Sequence, residues 1–181
     1  MRFGDGTGLE PDDIDLHILE LVQEDCRASL VRLGEQVGLS APAVLERLKK
    51  LEAAGVITGY RAIVDGRRVG FDITAFIGVI IGHPTLIGDF ERQVVALGDV
   101  LECHHVTGEY TLLLKVKTAN TSSLERLISQ IRSLEGVART ETMVVLSTHT
   151  ERVQLAVRQP PAPPPKRARR NGERAAHGGR A

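Results

Sequence analysis

The sequence predicts an α+β protein in which three helices precede a domain of alternating strands and helices. Two observations predict this class. Between residues 12 and 54, apolar residues repeat at helical intervals in three short segments. From residue 73 onward the pattern becomes strand, helix, strand, strand, helix, strand, which is the βαββαβ order of ferredoxin-like folds. A chain of 181 residues, 42% of them hydrophobic, is long enough for two small domains of this kind.

The first predicted domain, residues 11–55, contains three helices. Asp12 or Asp13 can cap the first helix, because short acidic side chains accept hydrogen bonds from exposed backbone N–H groups. The second helix ends at Gly38, since glycine tolerates the positive φ of a helix C-terminus. Ser40 can cap the third helix. The third helix has one apolar stripe, formed by Val44, Leu48 and Leu51.

This layout is a helix-turn-helix, which indicates that the third helix enters the major groove of duplex DNA. That helix begins with small residues, which would let its backbone approach base edges, and its outer face is polar and basic. Arg47 and Lys50 are expected on the exposed face. The predicted DNA-contacting residues are Arg32, Ser40, Ala41, Ala43, Glu46, Arg47, Lys49 and Lys50. The other interpretation is a helical hairpin whose outward charges are only solvated.

Three segments are assigned outside the two domains. Residues 1–10 are glycine-rich and predict a flexible N-terminal arm. Residues 56–72 have β character and predict a β linker, which can serve as the wing of a winged helix-turn-helix. Residues 159–181 combine a proline cluster with six basic residues and one acidic residue, and predict a disordered, Pro-rich basic tail. The tail either adds phosphate affinity or only keeps the protein in solution. The net charge of the whole chain is zero, but its basic residues are segregated.

The second predicted domain, residues 73–158, contains four strands and two helices. The helices would cover only one face of the sheet. We therefore expect the other face to be apolar and to pack against a second copy of the chain. The predicted elements are strand 73–82, helix 86–97, strands 100–106 and 110–117 around a turn at 107–109, a helix opened by the capping box Ser122-x-x-Glu125 and ended by Gly136, and strand 140–148.

Composition and spacing argue against several other classes. No apolar run is long enough to cross a membrane and no signal-peptide pattern is present, so a cytoplasmic protein with reduced thiols is expected. Cys103 and His105 would share one face of a strand while His104 points to the other, so no metal site is predicted. We recognise no nucleophile with an orienting partner. The sequence therefore predicts no catalytic residue and no cofactor.

Two segments resemble the Lrp/AsnC family, the leucine-responsive regulator/asparagine regulator family of bacterial and archaeal transcription factors. Residues 37–40 followed by 45–52 resemble its recognition-helix segment, and residues 102–110 resemble its strand and turn at the effector pocket. The likeness covers about residues 12–155, and both motifs occur in the family's order and distance. Many members have Gly-Asp-Tyr/Phe-Asp at the turn, whereas this chain has Thr111 in place of the second carboxylate. The pocket is therefore expected to accept a different amino acid or none.

The resemblance implies a cytoplasmic, nucleoid-associated regulator that binds double-stranded DNA. It implies a homodimer joined through the second domain, often assembled further into an octamer, with an amino-acid effector bound between dimers. The effector-binding residues implied are His104, Val106, Thr107, Gly108, Glu109 and Tyr110. The alternative from a different class is a metabolite-sensing ferredoxin-like module that acts through protein–protein contacts without DNA.

Overall fold

The computed structural model describes residues 9–157, which form two units. The first unit contains residues up to 61 and the segment from residue 154, and the second contains residues 62–153. Residues 154–157 join the first unit because the Gln23 side chain donates to the Leu155 carbonyl and accepts from the Leu155 N–H. The second unit therefore begins and ends at other residues than the predicted domain of residues 73–158. The predicted tail and most of the predicted arm lie outside the described residues.

The first unit is the predicted bundle of three helices, α1 (Asp13–Glu24), α2 (Leu30–Val37) and α3 (Ala41–Ala53). Of the two candidate caps, the structure uses Asp12. Its carboxylate accepts from the Asp15 N–H at 2.8 Å while the Asp15 carboxylate accepts from the Asp12 N–H at 3.2 Å, which is a reciprocal capping box. The core of this unit is aliphatic and contains Ile18, Leu33, Val44 and Leu48.

Two glycines shape the turn between α2 and α3. Gly38 ends α2 with a φ of 71°, as its position predicts. Gly34, which was not among the predicted turn residues, lies inside α2 where a Cβ would be 2.3 Å from the Leu39 carbonyl oxygen. The Leu39 N–H donates to the Gly34 carbonyl at 2.9 Å, so the chain folds directly back over this glycine. The turn is tight because position 34 has no side chain.

Ser40 occupies the N-cap position of α3, but its side chain makes no capping hydrogen bond. The predicted position of the cap is confirmed, whereas the predicted side-chain hydrogen bond is absent. Pro42, at the second position of the helix, removes one of the two N–H groups that a capping hydroxyl can accept from, and the Ser40 hydroxyl does not accept from the other, that of Ala43.

Residues 56–72 contain no strand, so the predicted β linker and wing are wrong for the described chain. The only regular element there is a short 3₁₀ helix, Gly66–Val69, capped by Asp65. Ile63 and Val64 are 85% and 61% exposed. An extended segment becomes a strand only when a neighbour pairs with its backbone, and no residue in the range 9–157 pairs with this one.

The second unit has the predicted βαββαβ order. Its elements are β1 (Ile73–Ile81), α4 (Ile87–Val95), β2 (Val100–His105), β3 (Leu112–Thr118), α5 (Thr121–Ser133) and β4 (Val137–Val144). The strands form one antiparallel sheet in the order β2-β3-β1-β4. The helices cover the face that carries Ile77 and Leu114, and Phe90, Leu127 and Ile131 complete the core. No helix among residues 9–157 is long and apolar enough to cross a membrane.

The last helix and strand begin earlier than predicted. Asn120, rather than Ser122, caps α5, because its carboxamide oxygen accepts from the Ser123 N–H at 2.9 Å and Ser123 Oγ accepts from the Asn120 N–H at 3.0 Å. Strand β4 spans Val137–Val144 instead of 140–148, because its length is set by pairing with β1. Beyond it, only the Val145 N–H continues the pairing, to the Thr74 carbonyl at 2.9 Å.

The sheet face opposite the helices is mixed rather than apolar, which corrects the prediction. Apolar Phe76, Ile80, Leu113 and Met143 share it with charged residues, as the alternation of the strands requires. The ammonium group of Lys115 lies 3.3 Å from the Glu102 carboxylate and contacts Glu151, while its side chain is only 16% exposed. Ion pairs thus cover part of the open sheet face, which the sequence pattern predicted to pack against a second copy of the chain.

Candidate DNA-binding surface and effector turn

Helix α3 buries one face and exposes the other. Val44, Leu48 and Leu51 face α1 and α2 with at most 8% of their surface exposed. The opposite face is open to solvent along the whole helix. It carries Pro42, Leu45, Glu46, Lys49 and Lys50, all exposed. We call this set the α3 outer face.

Arg47 does not belong to the α3 outer face, which contradicts the expectation of an exposed DNA contact. Its guanidinium lies 2.7 Å from the carboxylates of both Asp12 and Asp15, and its side chain is 28% exposed. Asp15 is only 2% exposed. The hydrogen bonds to these two carboxylates raise the pKa of Arg47, and the bond from Arg47 is the main cause that lowers the pKa of Asp12. Arg47 thus joins α3 to the first turn of α1.

The reason for this error is geometric. In a helix of 3.6 residues per turn, position 47 lies on the flank between the buried stripe and the outer face. Which way a flanking arginine turns depends on what the neighbouring helix offers, and the partners are 32 and 35 residues away in sequence. The acidic residues of α1 were visible in the sequence as helix caps. Their proximity to α3 was not.

The other predicted DNA contacts remain on or beside the surface. Glu46, Lys49 and Lys50 have no ion-pair partner within residues 9–157. Arg32 is 64% exposed and lies 3.7 Å from Asp25. Ser40 is exposed, whereas Ala41 and Ala43 are half-buried at the start of α3.

Two residues of the α3 outer face were missing from the prediction. Leu45 is 39% exposed, and Pro42 is exposed at the first turn. The signal that identifies Leu45 is its position outside the i, i+4, i+7 stripe of buried residues. An apolar side chain beside the charged residues of this face is suited to contact the methyl group of thymine.

The predicted effector turn is the tip of the β2–β3 hairpin. Thr107, Gly108 and Glu109 are exposed there, and Gly108 has a φ of 117°, a conformation that favours glycine. Thr111 stands where many members of the family have a second carboxylate. Here its polar groups form hydrogen bonds with strand β1. Its N–H donates to the Val79 carbonyl at 2.9 Å, and its Oγ1 accepts from the Ile81 N–H at 3.1 Å.

The structure separates the six predicted effector residues into three places. Thr107, Gly108 and Glu109 form the exposed tip, and Val106 is half-buried beside it. His104 lies on β2, where its Nε2 is 3.1 Å from Glu102, and this contact is the main cause that lowers the pKa of Glu102. Tyr110 lies on the open sheet face against Gly78.

A cavity of about 320 Å³ in the second unit lies elsewhere. Its lining comes from residues 65–67, 71, 72 and 74, from Lys117 and from residues 145–148, and includes none of the predicted effector residues.

The Cys/His segment of β2 has the predicted geometry. Cys103 and His105 pair with Leu114 and Leu112, which face the helices, whereas His104 pairs with Leu113 on the opposite face. Burial raises the pKa of the Cys103 thiol. Residues 9–157 contain no group of three or more His, Cys, Asp and Glu side chains that could hold a metal ion.

A three-helix unit with an exposed third helix, joined to a ferredoxin-like domain, defines the class of two-domain helix-turn-helix regulators. Comparison with known proteins gives the family. Residues 12–52 match the AsnC-type helix-turn-helix domain and residues 74–155 match the Lrp/AsnC ligand binding domain. The chain belongs to the Lrp/AsnC family of transcriptional regulators.

Individual relatives are similar to this chain over nearly their whole length. The HTH-type transcriptional regulator FL11 of Pyrococcus furiosus is 32% identical over 147 residues, which are 81% of this chain and 97% of the relative. The leucine-responsive regulatory protein of Escherichia coli K12 is 32% identical over 154 residues, 83% of this chain and 94% of the relative. The transcriptional regulator NMB0573 of Neisseria meningitidis, solved as a complex with L-Met, superposes with a TM-score of 0.76 at 32% identity, over 80% of this chain and 95% of that one.

Family membership confirms three of the predictions made from sequence. The fold is α+β, with a helix-turn-helix unit before a ferredoxin-like domain. The protein is a DNA-binding transcriptional regulator with an Lrp/AsnC ligand binding domain, rather than a module that acts without DNA. It is not an enzyme, since the family consists of regulators.

Proposed function

We propose that this protein is a homo-oligomeric regulator that binds duplex DNA through the α3 outer face and an amino acid at the 107–109 turn. The observation that carries the proposal is the free charge on α3. Lys49 and Lys50 are exposed and have no ion-pair partner within residues 9–157, and the side chains around them leave the helix open to a groove.

Each side chain of the α3 outer face has a distinct role in DNA binding. Lys49 and Lys50 bind phosphates, which gives affinity without sequence information. Glu46 is suited to accept from the N4 amino group of cytosine, and Leu45 to contact a thymine methyl group. Arg47 holds α3 against α1 and does not itself bind DNA. The nucleoid in the cytoplasm is then the site of action.

Dimerisation provides the second recognition helix. Ile63, Val64 and Leu146 are 61% to 94% exposed, and they lie outside the regular elements of the second unit, where a second copy would cover them. A two-fold dimer presents its α3 helices to half-sites spaced about 34–36 Å or a multiple of that distance apart.

The effector part of the proposal concerns the exposed tip of the hairpin. The NMB0573 protein has been solved with L-Met, and the helix-turn-helix and ligand binding domains occur together in this chain. The Glu109 carboxylate is suited to bind an ammonium group, and the exposed backbone at Gly108 to bind a carboxylate. Binding between dimers would change assembly or DNA affinity through a coupling of about 1–3 kcal/mol.

Salt-titrated mobility shifts with Lys49→Ala and Lys50→Ala test the DNA part. Each variant should weaken binding and reduce the log–log salt slope by about 0.9, because one phosphate contact is lost. Arg126→Ala is the matched control, since it removes one exposed positive charge from helix α5 of the second unit. Undiminished affinity in both lysine variants would contradict the proposal, and truncation after residue 158 would then measure the contribution of the tail.

The molecular mass in solution, measured with and without a panel of amino acids, tests the assembly. We expect a dimer or a larger oligomer whose mass or DNA affinity changes with at least one amino acid. A monomer under all conditions would contradict the proposed oligomer.

A further inference from the structure

Gly78 lies in the middle of β1, on the face of the sheet that the helices leave open, and is nevertheless buried. Tyr110 covers it. A Cβ built on Gly78 would lie 2.6–2.7 Å from three carbon atoms of the Tyr110 ring, which is closer than real Cβ contacts allow. Glycine inside a strand weakens the strand and often marks a place where another group approaches the backbone closely. Here the approaching group is the ring of Tyr110.

The Tyr110 ring extends across β1 to β4. Gly78 pairs with Leu113 of β3 on one side and with Glu141 of β4 on the other. The Tyr110 hydroxyl lies beside the Glu141 carboxylate, which is 3.1 Å from the Arg139 guanidinium. Burial and the contact with Glu141 raise the pKa of Tyr110. Tyr110, which follows the tip of the β2–β3 hairpin, thus reaches across β1 to β4.

The backbone beside Tyr110 is held in the same way. Thr111 bonds to β1 through both its N–H and its Oγ1, at Val79 and Ile81. Tyr110 and Thr111, which follow the turn, therefore both contact β1. The ring of Tyr110 packs against Gly78, and Thr111 forms hydrogen bonds. The tip at 107–109 remains exposed.

We infer that Gly78 is a positioning residue for the effector turn, and that Tyr110 anchors this turn on the sheet instead of binding the effector. The inference rests on the proposed function in one respect, namely that an amino acid binds at residues 107–109. The absent side chain at position 78 lets the ring lie flat, and the seated ring holds the tip in one conformation. Any residue larger than glycine at position 78 displaces the ring and releases the turn.

The first test needs no ligand. The chain has two tyrosines and no tryptophan, so 3-fluorotyrosine labelling of the full chain gives two ¹⁹F resonances, which Tyr60→Phe assigns. Gly78→Ala should shift the Tyr110 resonance and lower the pKa of its hydroxyl. Gly82→Ala is the matched control, because a Cβ there meets its nearest atom at 3.8 Å, an ordinary contact. An unchanged Tyr110 resonance in Gly78→Ala would overturn the inference.

The second test measures binding of L-methionine and L-leucine by calorimetry. Gly78→Ala and Tyr110→Ala should each weaken the binding of whichever amino acid binds the wild type by about tenfold, and Gly82→Ala should not. The double variant Gly78→Ala/Tyr110→Ala should bind no more weakly than Tyr110→Ala alone, because the ring that collides with the new Cβ is gone. Wild-type affinity in Gly78→Ala, or losses that multiply in the double variant, would overturn the inference.

Two further outcomes are distinguishable. If Gly78→Ala alone does not fold, the inference requires that the double variant folds, since the collision is removed, and an unfolded double variant counts against it. If the wild type binds no amino acid, the effector part of the proposed function fails, whereas the ¹⁹F comparison still decides whether Gly78 seats Tyr110.

Discussion

Replacing Arg47 with alanine should destabilise the helix-turn-helix unit rather than remove a DNA contact. The guanidinium makes two hydrogen bonds of 2.7 Å, one to Asp15, whose side chain is 2% exposed, and one to Asp12, whose side chain is 54% exposed. A hydrogen bond to a charged, buried group contributes about 1.5–3 kcal/mol. The contact with the half-exposed carboxylate is screened by solvent and contributes about 0–1 kcal/mol. The free energy of unfolding of this unit should therefore fall by about 1.5–4 kcal/mol.

Urea unfolding of the full chain measures this change through the circular dichroism of the helices and, in a Tyr110→Phe background, through the fluorescence of Tyr60, which lies in the first unit. The control is Arg32→Ala. That side chain is 64% exposed and lies 3.7 Å from Asp25, so its loss should cost less than about 1 kcal/mol. A double-mutant cycle with Asp15→Ala isolates the pair, and its coupling energy should account for most of the loss.

The effect should also depend on pH in a definite direction. Because the folded state lowers the pKa of Asp12, the stabilisation is present above the pKa of the unfolded state, about 3.9, and is lost as the pH falls through the folded value. The difference between wild type and Arg47→Ala should be constant near neutral pH and should shrink below about pH 4.

One result would refute this reasoning. If the free energy of unfolding of Arg47→Ala lies within about 0.5 kcal/mol of the wild-type value and the variant still loses DNA affinity, the guanidinium contacts DNA directly. Its role in joining α1 and α3 is then wrong. If Arg47 only joins the two helices, the DNA affinity of Arg47→Ala falls only as far as the fraction of folded protein falls.

Three further predictions concern a turn, a titration and a cap. Gly34→Ala should destabilise the first unit by about 1–3 kcal/mol or more in thermal unfolding, because its Cβ would meet the Leu39 carbonyl oxygen at 2.3 Å. At an unobstructed helix site the same substitution would instead stabilise by about 0.5–1 kcal/mol. Absorbance titration of Tyr110→Phe, which keeps Tyr60 as its one tyrosine, should find the pKa of Tyr60 at about 12, raised by burial and by the bond to Glu52. Adding Glu52→Gln should lower this pKa, and a value near 10 without that substitution would contradict the prediction. Asn120→Ala should cost about 1 kcal/mol in chemical unfolding, because helix α5 loses its N-cap, and no loss would show that the cap is dispensable.

The order and type of elements were predictable because they depend on local patterns. Periodic apolar residues predicted every helix of the first unit, and Gly38 marked its turn correctly. The boundaries were less accurate where partners decide them. The cap of α5 moved to Asn120, and the end of β4 followed the length of β1. Residues 56–65 looked like a strand but had no neighbour within residues 9–157 to pair with.

The side chains of the candidate site also fall into two groups, those whose positions follow from local spacing and those placed by residues distant in sequence. The exposure of Lys49 and Lys50 was predictable from helical spacing, because solvent exposure on an isolated helix follows from its own stripe of buried residues. Leu45 was available from the same spacing and was overlooked. Arg47 and Tyr110 lie elsewhere than their spacing predicts, because each side chain packs against a residue that is distant in sequence, Asp15 in one case and Gly78 in the other.

The amino-acid sequence by itself determined the succession of helices and strands and the family, since both follow from the nature and spacing of neighbouring residues. Only the tertiary structure decided which polar side chains are available. A guanidinium or a phenol binds whatever partner is nearest in space, and that distance is set by how the helices and strands pack. Local sequence therefore limits the set of possible contacts, and packing selects among them.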